Sequence, residues 1–107
     1  MSRRLTFTDQ VIRAAEMLGW MVYHVRPAKT AHGWRTPVQG VFAAGFPDLV
    51  MVKGARVVYA ELKGATNGLE PGQEMWRDAL LAAGQEWHLW RLSQWDEVLA
   101  VLKGGTR

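Results

Sequence analysis

The stretch Gly45 to Gly64, GFPDLVMVKGARVVYAELKG, constrains the fold more than any other part of the chain. Two runs of β-branched and aliphatic residues flank Gly54-Ala55, and a two-residue turn with Gly first suits a type II′ hairpin, whose twist matches that of its strands. Such a turn fixes parity. Lys53 pairs with Arg56, Val52 with Val57 and Val50 with Tyr59, so the next pair on that face is Asp48 with Glu61. A four-residue loop from Lys53 to Arg56 gives the same register, and a three-residue loop does not.

Opposed residues of an antiparallel pair have Cβ atoms about 4.5 to 5.5 Å apart, so the two carboxylates share one small volume. At ~5 Å their mutual repulsion is about 3 kcal/mol at an effective dielectric near 20, a large fraction of a small domain's stability. The neighbours Leu49, Val50, Val52, Val57, Val58 and Tyr59 offer no countercharge, and Lys63 on the same face offers one. Two readings are open. In one, the acids hold a divalent cation, Mg²⁺ or Mn²⁺, which takes hard oxygen ligands, and Lys63 serves phosphodiester chemistry beside it. In the other, Asp48 follows a strand-initiating Pro47, and Glu61 and Lys63 alternate along a solvated edge.

The rest of the chain supplies a frame for the hairpin. Phe7, Val11, Ala14, Ala15 and Leu18 recur at helical spacing after a Thr6 or Thr8 cap, and Gly19 stops that helix. Trp20 to Val25 reads as a strand. From Arg26 to Gly45 no period is visible, and the expectation is a long loop. After the hairpin, Pro71 suits the first turn of a helix running from about Glu70 to Ala83 and closed by Gly84. Glu86 to Arg91 is a strand. Ser93 is expected to cap a last helix, with Asp96 three residues on and Trp95, Val98, Leu99 and Leu102 on its apolar face. The expected order is αβββαβα, a small mixed sheet flanked by helices in a single α/β domain over residues 1–107.

Composition narrows the function classes. The chain has no cysteine, which excludes disulfides and thiolate chemistry, and no apolar run of the ~18 residues that a membrane span needs. With no signal-like segment at Met1 to Gln10, the expected compartment is the cytoplasm. A net charge of +3 favours an anionic partner only mildly, but its distribution is uneven. Between Glu16 and Asp48 there is no acid, while Arg26, Lys29 and Arg35 fall in that span with His24 and His32. Those cations can neutralise phosphates and Trp34 can stack on a base; equally, Trp34 can fold back on the core with the charges solvated. Trp20, Trp87, Trp90 and Trp95 lie on predicted elements and read as packing, Trp76 as part of a buried helix face, and His88 as structural.

Pro47-Asp48 followed by Glu61-Leu62-Lys63 resembles the motif of the PD-(D/E)xK nucleases. The longer string is more specific: GFPDLVMV, VVYAELKG, a Gly-rich connection, Gln73 in the next helix, then Trp76, Leu80, Gly84 and a strand. It resembles the VRR-NUC family, the virus-type replication and repair nucleases, in their compact stand-alone form, from about Val11 to Trp95. The resemblance implies a restriction-endonuclease-like fold and divalent-metal-dependent cleavage of DNA. It makes Asp48, Glu61 and the main-chain carbonyl of Leu62 metal ligands, Lys63 the catalytic lysine, and Gln73 a residue that supports the site or contacts substrate. Relatives often carry a further acid near the start of the first helix; here Arg3, Arg4, Thr6 and Thr8 occupy that neighbourhood, and neither Asp9 nor Glu16 is assigned in its place. By family analogy the protein is a homodimer acting on branched DNA such as a four-way junction. An inert DNA-binding module with a nuclease fold, or an interaction domain with surface acids, are the alternatives.

Overall fold

The computed structural model describes residues 5–24, 28–30, 33–35 and 39–105. In chain order the elements are α1 (Phe7–Met17), β1 (Met21–His24), β2 (Ala28–Thr30), β3 (Gly33–Arg35), β4 (Leu49–Lys53), β5 (Arg56–Lys63), α2 (Pro71–Ala82), β6 (Glu86–Arg91) and α3 (Trp95–Leu102). The main sheet has the order β1-β4-β5-β6, while β2 and β3 form a separate two-stranded hairpin. β4 lies antiparallel to both β1 and β5, and β6 runs parallel to β5 because α2 carries the chain back across the sheet. The architecture is mixed α/β. The main sheet and the helices follow the order αβββαβα, with the small hairpin and short 3₁₀ turns added to it.

Local chemistry explains the boundaries. Thr6 opens α1 through a capping box: its Oγ1 accepts from Asp9 N at 3.0 Å, and Asp9 Oδ2 accepts from Thr6 N at 3.3 Å. At the far end Gly19 adopts φ +93°, and Lys53 Nζ donates to the Leu18 carbonyl at 2.6 Å, a cation placed at the negative end of the helix. The turn between β4 and β5 has Gly54 at φ +59°, and among the described residues no non-glycine has positive φ, as type II′ requires. Its register pairs Lys53 with Arg56, Val52 with Val57 and Val50 with Tyr59.

Two expectations need correction. The span 26–45 is not a plain loop: it holds β2 and β3, with Lys29 opposite Trp34, and a 3₁₀ turn over Ala43–Gly45. Strands of three residues are too short for alternation to show in a sequence. Ser93 does not cap α3; it lies within a 3₁₀ turn, Leu92–Gln94, and Gln94 takes the cap position without a side-chain bond. Val25 and Arg26 lie outside the described residues.

Alternation along the strands divides the sheet into two faces. Leu49, Met51, Val58 and Ala60 are fully buried on one, beneath Val11 and Ala15 of α1 and Val98, Val101 and Leu102 of α3. Truncating one of these side chains to Ala costs about 2–5 kcal/mol for a Leu or Met, because the surrounding layers relax only partly. Trp20 is sealed into this core with its indole N–H donating to the Leu102 carbonyl at 2.8 Å, which ties the start of β1 to the end of α3. The other face carries Val50, Tyr59, Glu61 and Lys63 and is covered in part by α2, through Phe46, whose ring meets Tyr59 and Trp76 edge-on. Among the described residues no helix is long and apolar enough to cross a membrane.

Candidate active site

Asp48 immediately precedes β4, and its Oδ2 accepts a hydrogen bond from Leu62 N at 2.8 Å. The bond continues the β4–β5 ladder with a side chain where the backbone pairing ends, and it pins the carboxylate across β5. Several contacts set the approach of the chain to this point. Gly45 lies so close to the first turn of α2 that a Cβ there would sit 2.4 Å from the carbonyl carbon and oxygen of Gly72, a separation that only glycine avoids. Phe46 wedges between Tyr59 and Trp76, with ring centroids 6.1 and 4.9 Å away. The segment GFPD is thus clamped between the sheet and α2, and Asp48 emerges at a fixed place.

Glu61 projects from β5 on the same face and is only 3% exposed. Gln73, in the first turn of α2, reaches it: Nε2 donates to Glu61 Oε1 at 2.9 Å, while Oε1 of the same amide accepts from Glu70 N at 2.9 Å. The second bond fixes which end of the amide faces the acid, so Gln73 holds a donor on Glu61. Burial pushes the Glu61 carboxyl up to about 8, and the charge and hydrogen bond of Asp48 push the same way; Lys63 opposes them without cancelling them. Without a further cation, Glu61 keeps its proton at neutral pH.

The residues fit a divalent cation. Two carboxylates converge, and the Leu62 carbonyl leaves β5 on the side of its N–H, which faces Asp48. Three hard oxygens with room for water suit Mg²⁺ or Mn²⁺. Among the described residues no group of three or more His, Cys, Asp or Glu side chains gathers anywhere. Asp9 is engaged with the Thr6 cap and Glu16 is exposed, both on α1, which packs against the opposite face of the sheet. Arg3 and Arg4 lie outside the described residues.

A cleft of about 560 Å³ opens over the acids, bounded by Tyr23, the segment Gln39 to Ala44, Phe46, Pro47, Gln73 and Trp76. Trp76 is half-buried rather than buried, because its indole N–H leaves the helix face to donate to the Phe42 carbonyl at 2.7 Å. The expected phosphate contacts of Arg26, Lys29 and Arg35, and the stacking of Trp34, concern side chains outside the described residues. His24 ends β1.

Sequence reasoning missed the charged cluster at the other end of β5. Arg56, 8% exposed, forms a bidentate pair with Glu86 through Nε at 2.8 Å and Nη2 at 2.7 Å, and Nη1 reaches the Val101 carbonyl at 3.4 Å. His88 Nε2 lies 2.7 Å from Glu86 Oε2, and its ring stacks on Trp90. No sequence signal pointed to it, because the cluster depends on the parallel register of β5 and β6, which a connection through α2 does not reveal. No protein-family model matches the chain, and neither a curated protein nor a solved structure does.

Proposed function

We propose that this protein is a divalent-metal-dependent deoxyribonuclease with a restriction-endonuclease-like fold of the VRR-NUC kind, hydrolysing phosphodiester bonds in branched DNA. One observation supports this above the rest: two carboxylates, one of them buried, are brought onto one face of the sheet beside Lys63, and among the described residues burial and Asp48 outweigh Lys63 in their hold on the Glu61 carboxyl. A purely structural site has no reason to accumulate that imbalance, whereas a cation and a phosphate arriving together resolve it.

In this reading Asp48, Glu61 and the Leu62 carbonyl hold Mg²⁺ or Mn²⁺, which when bound neutralises charge on the phosphate and makes water more acidic. The Leu62 N–H keeps Asp48 from rotating away. Gln73 orients Glu61 by donating to one oxygen, leaving the other for the ion. Lys63, as a cation, orients the attacking water, whose proton passes to solvent, and stabilises charge that develops on the phosphoryl oxygens. A homodimer would set two such sites against the arms of a four-way junction.

A second reading is an inert DNA-binding module with the same fold, favoured by the lack of a third acidic side chain near the pair among the described residues. Incubating the protein with labelled four-way, flap, nicked and linear DNAs, with Mg²⁺, Mn²⁺ or chelator, separates the two. Cleavage that requires metal supports the enzyme; a band shift indifferent to metal, with no cleavage, supports the module.

A further inference from the structure

The cleft wall above the acids is built against the usual economy of a small domain. Val41 and Phe42 occupy the turn before the GFPD segment, and they are 93% and 57% exposed; Tyr23, facing the same cleft from β1, is 62% exposed. Exposed apolar side chains on a mobile tip need no explanation, but this turn is anchored. The Phe42 carbonyl accepts the Trp76 indole N–H, Gly45 is pressed on Gly72, and Phe46 is wedged between two rings. The fold fixes the main chain of the turn from behind and leaves its apolar side chains outward, on the wall of the space whose floor holds Asp48 and Glu61.

We propose that this wall takes one unpaired nucleobase, stacked on Phe42 and flanked by Tyr23, from the nucleotide next to the phosphate held at the acids. The inference rests on reading Asp48 and Glu61 as the phosphate site. A base inside a duplex has both faces covered by its neighbours, so a nucleotide at a branch point, a gap or a single strand offers a free face to an aromatic ring without the cost of unstacking it. At about 560 Å³ the cleft has the size of a small-molecule site, enough to take one nucleotide. Gln39 at its rim supplies an amide for the edge of the base. The substrate class is therefore DNA with an unpaired nucleotide at the point of attack, and Phe42 is a specificity-determining residue.

The test uses oligonucleotides carrying 2-aminopurine either unpaired or within a full duplex, titrated with protein in Ca²⁺, which fills hard-oxygen sites. The wild type is expected to quench the unpaired reporter, and Phe42→Leu, which keeps apolar bulk without a π-face, to lose about tenfold in affinity for that DNA. Affinity for the paired duplex stays within about twofold, and Phe42→Tyr restores the quench. Equal losses on both DNAs, or no quench with wild type, overturn the proposal. Quenching without cleavage in Mn²⁺ leaves the base site standing and removes the nuclease reading; metal-dependent cleavage with no quench does the reverse.

Discussion

The two ends of β5 solve opposite electrostatic problems. At its start, Arg56 and Glu86 meet as a bidentate pair, His88 adds a further partner, and the cluster is closed by the Val101 carbonyl and the Trp20 ring 5.9 Å from the guanidinium. At its end, Glu61 is buried beside a second acid with Lys63 as the nearby cation. Burial opposes ionisation of both glutamates. At Glu86 the bonds and charges of Arg56 and His88 outweigh burial and hold the carboxylate below its ordinary value, whereas at Glu61 Asp48 reinforces burial and the carboxyl rises to about 8. One strand thus shows what a completed buried charge cluster looks like in this fold. At the other end no group among the described residues completes the cluster around Glu61, and that difference, rather than acidity itself, is what the proposed reading of a site rests on.

The largest expected effect breaks the comparison at the acidic end. Asp48→Asn and Glu61→Gln abolish metal-dependent cleavage while raising the thermal stability of the metal-free protein, since Gln removes the cost of protonating Glu61 on folding and Asn removes a charge that adds to it; Glu86→Gln lowers stability and leaves cleavage per folded molecule in place. Cleavage assays paired with thermal melts check both halves. At the other end, Arg56→Met leaves partly buried Glu86 with His88 in place of its bidentate partner, and denaturant unfolding should show a loss of about 1–3 kcal/mol. Gln73→Ala removes a donor from Glu61 without touching the ion, and is expected to lower Mn²⁺ affinity or cleavage by about 10- to 100-fold, with little change in melting.

The smallest effect is a contrast of sign with pH. The folded-state value of Glu61 lies above its unfolded value of 4.5, so the metal-free protein loses stability as pH rises from about 4.5 through about 8, where the chain must give up a proton that burial retains. Glu86 behaves in the opposite sense: its folded value is depressed, so its contribution is present above the unfolded value of 4.5 and disappears as pH falls through the folded one. Melts across pH 4 to 9, about the range where carboxylates so shifted titrate, should show the high-pH loss in wild type and not in Glu61→Gln, and Mn²⁺ should reverse it.

The acidic end was legible in the sequence because a two-residue turn and strict alternation leave one register, and the observed pairs Val50–Tyr59 and Val52–Val57 carry it to Asp48 and Glu61. The boundaries of α1 and α2 followed from the spacing of Phe7, Val11 and Ala15 and from Pro71 and Gly84, while Ser93 does not cap α3 as expected. The paired end was not legible. Arg56 meets Glu86 only after a crossover helix sets the parallel register, and no local pattern encodes the shift between strands joined in that way. The same limit hid the Gly45–Gly72 contact and the bond from Gln73 to Glu61, both of which depend on where α2 lands. The β2–β3 hairpin escaped because three residues a side are too few to show a period.

Calorimetric titration of Mn²⁺ into wild type and Glu61→Gln at pH 7, in buffers of different ionisation enthalpy, tests the central claim most directly. If the acids wait for a cation, wild type binds Mn²⁺ and releases about one proton, while Glu61→Gln binds weakly and releases none. Tight binding by both proteins with the same proton release, or no binding by wild type, would contradict the account.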